Sequence, residues 1–160
     1  MRWLSGYVYG TISTLVAIAG LTFENTPGAL TAAGVVIVGA VAIWLAHALS
    51  ALVTMHSWRR LVMTWADVAD ELRGSWSIIS AAIPAIIIFV LADQGVWSVR
   101  HAFVIAEVVG VLALAVVGIG TAGGPDRPAG RRIFYIFALV LVGVFIVVLE
   151  AVVHVLLTHL

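Results

Sequence analysis

Long apolar stretches alternate with short polar breaks along the whole chain. Residues 3–23 and 30–55 carry no acid or base except His47, and residues 75–92 are uncharged and contain Pro84. Residues 102–121 hold one acid, Glu107, and residues 133–157 hold Glu150 and His154. A helix needs about 20 mainly apolar residues to cross the hydrocarbon core of a bilayer. The pattern therefore predicts five transmembrane helices over about 3–23, 30–55, 75–92, 102–121 and 133–157, forming a single all-α domain across 1–160. The first apolar run is too long for a signal peptide and has no small-residue cleavage pattern, so it reads as an uncleaved first helix. Turn chemistry marks the breaks at Asn25-Thr26-Pro27-Gly28 and at Gly123-Gly124-Pro125-Asp126-Arg127-Pro128. Thr31 can cap the second helix.

One segment has a different period. Trp58, Leu61, Val62, Trp65, Ala69 and Leu72 recur at three- and four-residue steps, with Arg59, Arg60, Asp67, Asp70 and Glu71 between them. This predicts an amphipathic helix over 58–72, either lying along the cytoplasmic interface or continuing the second span out of the membrane.

Composition strengthens the membrane reading. Of 160 residues 63% are apolar and only 10% charged, with a mean hydropathy of +1.18. A soluble domain is typically about 25% charged, so this chain has too little polar surface to face water on all sides. A net charge of zero excludes the basic excess of a nucleic-acid binder. The absence of cysteine removes disulfides, thiol nucleophiles and thiolate metal sites.

The eight Arg set the orientation. Arg2, Arg59, Arg60, Arg73, Arg127, Arg131 and Arg132 fall on one side of a five-span layout, and Arg100 falls on the other. The positive-inside rule then puts the N-terminus in the cytoplasm and the C-terminus outside. Trp3, Trp58, Trp65 and Trp76 lie near the inner boundary and Trp97 near the outer one, where amphipathic rings settle. Trp44 lies deeper and is expected to pack against a neighbour or lipid. Arg in place of every Lys, with abundant Ala, Val and Gly, points to a GC-rich bacterial genome and hence a bacterial cytoplasmic membrane.

Small residues supply helix contacts in lipid. Ala42, Ala46, Ser50 and Thr54 form a narrow face on span two, Ala102, Ala106 and Gly110 one on span four, and Gly143 interrupts span five. Pro84 removes a backbone donor and is expected to kink span three.

The polar groups inside the spans carry the candidate chemistry, because a charge near the bilayer centre costs a few kcal/mol even on lenient scales. With a rise of about 1.5 Å per residue, Glu107 lies roughly 8–10 Å below the outer face, Glu150 about 10 Å and His154 about 5 Å. Glu150 and His154 share a helix face, four residues apart. Contact between spans four and five would join Glu107, Glu150 and His154 in one cluster able to pass protons or hold a cation. A local Glu–His hydrogen bond is the alternative. His47 lies in the cytoplasmic half with Ser50 one turn away. With Thr11, Ser13 and Thr14 it can form a second, uncharged polar layer, or it can be a hydrogen-bonded structural histidine.

Enzyme signatures are missing. There is no H-E-x-x-H, no G-x-S-x-G and no nucleotide-binding glycine loop. His47 and Ser50 lack an orienting acid nearby. No cofactor is implied, and the chain is not expected to be an enzyme.

The layout resembles the vacuolar iron transporter family: five spans, N-terminus inside, and a helical cytoplasmic insert between spans two and three. Val8-Tyr9-Gly10-Thr11-Ile12-Ser13-Thr14, followed by Ala19-Gly20, is similar to that family's first-span Asp-Gly-hydrophobic-x-Thr segment. Leu45-Ala46-His47-Ala48-Leu49-Ser50 is similar to its second-span Ala-Asp-x-x-Ser-Met segment. The two Asp positions fall on Tyr9 and His47 and the Met falls on Ala51, and the family's Glu-rich insert is replaced by a short helix with three acids. The resemblance implies the fold and a homodimer, with the iron site not intact and His47 able to replace one ligand. The reading is therefore a small transporter or channel-like protein, moving a cation or proton by alternating access or proton exchange. Its partners would be the lipid bilayer and a second copy. The rival reading is a non-catalytic structural or accessory subunit of a larger membrane complex.

Overall fold

The computed structural model describes the backbone of residues 2–22, 27–59, 64–122 and 129–158. Of the predicted breaks, Asn25 and Thr26 of the first and all of 123–128 lie outside the described residues, as do Leu61 and Val62. The described chain is all-α: α1 (Arg2–Thr22), α2 (Ala29–Arg59), α3 (Trp65–Gly74), α4 (Trp76–Asp93), α5 (Val99–Ala122) and α6 (Ala129–Thr158). Four segments are long and apolar enough to cross a membrane: Trp3–Leu21, Ala29–Thr54, Trp65–Asp93 and Val99–Gly120. Within α6 the described apolar run is Phe137–Leu149.

Helix α4 is the hub. It packs against α1, α2 and α5, while α6 lies on α5 and α1. Where lipid removes the hydrophobic drive between helices, association depends on close contact of small residues. Gly6 and Gly10, four apart on α1, face Ser77, Ile78 and Ala81 of α4. A Cβ on Gly6 would collide with Ser77 Oγ, and one on Gly10 would sit 2.6 Å from the Ile78 carbonyl oxygen. Glycine at these two positions is what lets the backbones meet. Beside α1, Ala29, Ala32, Ala33, Val36 and Ala40 of α2 join Ala82, Ala85, Phe89 and Ala92 of α4 in one buried cluster. Phe89 packs edge-on to Phe103 of α5, with ring centroids 4.9 Å apart, an arrangement aromatic quadrupoles favour. Outward surfaces carry Val, Leu, Ile and Phe, such as Val38, Val116 and Phe145. Large apolar side chains on the outside suit a bundle whose solvent is hydrocarbon.

The 58–72 segment differs from expectation. Helix α2 continues as far as Arg59, and a separate helix begins after Thr64. A capping box sets that start: the Thr64 side chain accepts from the Asp67 N–H while Asp67 Oδ2 accepts from the Thr64 N–H at 2.9 Å. Trp65 is 88% exposed, whereas Glu71 is 4% exposed beneath α3, with Ser75 Oγ donating to its carboxylate. Trp44 fastens α3 to α2: its Nε1 donates to the Leu72 carbonyl at 3.1 Å and its ring meets Trp76 edge-on at 6.1 Å. The deep Trp44 thus packs against a neighbour, as its position predicts.

Candidate functional site

The polar residues of α1 point in two directions. Thr11 is 2% exposed, and its hydroxyl donates to the Tyr7 carbonyl at 2.9 Å. This back-bond satisfies the hydroxyl within its own helix. Thr14, one turn further, lines two small voids inside the bundle. One void lies between α1, α4 and α5, bordered by Thr11, Thr14, Pro84 and Gly110. The other lies between α1, α2 and α4, bordered by Ser13, Thr14, Gly39 and Ile78. Each measures about 10 Å³.

Tyr9 faces the other way. It is 51% exposed, and its ring lies 6.1 Å from the ring of His47 on α2, tilted by 36°. His47, Ala46 and Ser50 are all exposed on that outer surface. The Ser50 carbonyl accepts from the Thr54 hydroxyl at 2.8 Å. Among the described residues, neither the Tyr9 phenol nor the His47 imidazole has a hydrogen-bond partner.

The expected uncharged layer of His47, Ser50, Thr11, Ser13 and Thr14 is therefore divided between two surfaces. Thr11 and Thr14 line the bundle interior, while His47 and Ser50 lie on the outer face with Tyr9. The expected outer cluster is placed in part. Glu107 is half-buried on α5, which packs along α6. Glu150 and His154 ride on the last turns of α6, and their side chains lie outside the described residues. Among the described residues no group of three or more His, Asp or Glu is arranged to hold a metal ion.

Three features escape the sequence reading. The Gly6-x-x-x-Gly10 spacing on α1 is legible as a small-residue contact motif, and Ser77, Ala81 and Ala85 repeat it on α4. Tyr9, which stands at one resemblance position, becomes significant only once its ring is seen against His47. Ser77 is 0% exposed and its Oγ has no hydrogen-bond partner. It sits against the Gly6 backbone, where a weak Cα–H contact is the interaction on offer.

Comparisons with protein-family models, with curated proteins and with solved structures return no match for this chain.

Proposed function

We propose that this chain is a five-span protein of the bacterial cytoplasmic membrane that moves a cation or proton. Its N-terminus faces the cytoplasm and it works as a homodimer. Helix α3 lies at the inner interface, with exposed Trp65 and Trp76 at headgroup depth. The observation that carries the reading is the Tyr9–His47 pair, an imidazole and a phenol in ring contact on the outer face of two apolar helices. Hydrocarbon cannot hydrogen-bond such groups, and each polar group left unsatisfied there costs free energy. A surface of this kind is favourable when water or a second protein surface meets it. The voids between the helices are of water size, too small for a hydrated ion. The route therefore follows the outer α1/α2 face, reaching His47 in the inner half, with Glu107, Glu150 and His154 serving the outer half. The short segments similar to the vacuolar iron transporter family, on which Tyr9 and His47 stand, point the same way.

Flux into proteoliposomes tests this reading. Purified wild-type protein is expected to carry a proton or divalent-cation flux that His47→Ala reduces at least tenfold. Glu107→Ala and Glu150→Ala are expected to reduce it by a smaller factor. Flux that these variants leave unchanged removes the residues from the mechanism.

The close packing of α4 against α1 and α2 favours a second reading, an accessory subunit whose spans supply contact surface. A stoichiometric larger partner on native purification, with no flux by the isolated chain, selects it.

A further inference from the structure

The two voids flank one residue. Thr14 borders both, and no described residue exchanges a hydrogen bond with its hydroxyl. Thr11 spends its proton on the Tyr7 carbonyl and keeps its oxygen lone pairs free to accept. Ser13 contributes a second hydroxyl to the α1/α2/α4 void. The α1/α4/α5 void borders Pro84, which has no N–H to give the Ser80 carbonyl one turn back in α4. Thr11–Thr14 is also the middle of α1 (Arg2–Thr22).

We propose that both voids are hydration sites, each binding one water molecule, and that Thr14 bridges them. In the α1/α4/α5 void the water donates to Thr11 Oγ1 and exchanges a hydrogen bond with Thr14. In the α1/α2/α4 void it bridges Thr14 and Ser13. A void of about 10 Å³ is close to the least that admits one water, and a water held there needs two to four polar partners. Two hydroxyls per void meet the lower bound. Gly10, Gly39 and Gly110 keep the space open. A Cβ on Gly110 would come within 2.7 Å of Leu15 Cδ2 and press that side chain toward the void. Residues of α1 thus carry a short file of hydroxyls and water across the interior, from the α2 side to the α5 side. This inference does not depend on the transport reading, since such waters are also a structural device of helices in lipid.

Millisecond hydroxyl-radical footprinting of the full chain in lipid nanodiscs reads water beside buried side chains. Leu15 borders the α1/α4/α5 void and Leu114 borders neither, and the two leucines are 1% and 0% exposed. Leu15 is expected to oxidise several-fold faster than Leu114 in the wild type and in Thr14→Ser. In Thr14→Val, which keeps the shape and removes the hydroxyl, the ratio is expected to fall to near one. Equal rates in the wild type, or a ratio that Thr14→Val leaves unchanged, overturn the proposal. If Thr14→Val misfolds and both leucines oxidise alike, Thr11→Val removes the other hydroxyl of that void, with the same expected fall and the same overturning result.

Discussion

Helix α1 presents two unlike faces. Inward it offers Gly6 and Gly10, then Thr11, Leu15 and Ile18, all buried, with the Thr11 hydroxyl bonding its own backbone. Toward the outside it offers Trp3, Tyr9 and Val16, large side chains of which Trp3 stacks on Tyr7 of its own helix and Tyr9 meets His47 of α2. The inner face is explained by packing: Gly6 and Gly10 are as small as the contact with α4 demands, and Leu15 and Ile18 fill the core. The outer face is not, because an apolar side chain in place of Tyr9 or His47 would suit hydrocarbon better. Residues that structure explains and residues that structure leaves over are thus separated on a single helix, and the surplus lies outside.

Substitutions that exchange the character of the two faces should separate them. Gly10→Val has the largest expected effect on folding. Its Cβ meets backbone atoms of Ile78, at 2.6 Å from the oxygen and 2.9 Å from Cα, which cannot swing aside. Overpacking of this kind costs about 3 kcal/mol, to be read as a lowered midpoint of denaturation in mixed micelles. Trp44→Phe keeps most of the ring but loses the bond to the Leu72 carbonyl, a loss of about 1 kcal/mol. The readout is faster proteolysis within α3, with the bundle otherwise intact. Thr11→Val removes the hydroxyl bond to Tyr7, a bond within one helix that adds little to helix stability. Its denaturation midpoint should move least among the inner-face variants. His47→Ala should leave that midpoint unchanged, since the ring is exposed, and act on flux alone. A large loss of stability in His47→Ala would erase the contrast between the faces.

The all-α class and four of the apolar spans were legible because length and apolar content alone decide whether a segment can cross a bilayer. The facing of each helix was not. In water, a helix turns its apolar side inward, and polarity reveals the core. In lipid both sides of α2 are apolar, so His47 carries no sign of whether it points in or out. The small-residue spacing that does orient α1 was present at Gly6 and Gly10, a signal independent of the ionisable residues. The segment over 58–72 divides for a local reason: its three- and four-residue period runs through Thr64, where the Thr64–Asp67 capping box begins a new helix. The pairing of Tyr9 with His47 joins residues far apart in sequence, and no local pattern encodes it.

The central claim is that the outer α1/α2 face meets water in the membrane while the rest of the outer surface meets lipid. The chain has no native cysteine, so single cysteines can be placed at Ala46, beside His47, and at Val38, which is equally outward on α2. Thiols react as thiolates, which form in water and not in hydrocarbon. The account predicts that the Ala46→Cys chain in proteoliposomes reacts with a charged, water-soluble thiol reagent at least tenfold faster than the Val38→Cys chain. Equal and slow reaction at both positions would contradict it.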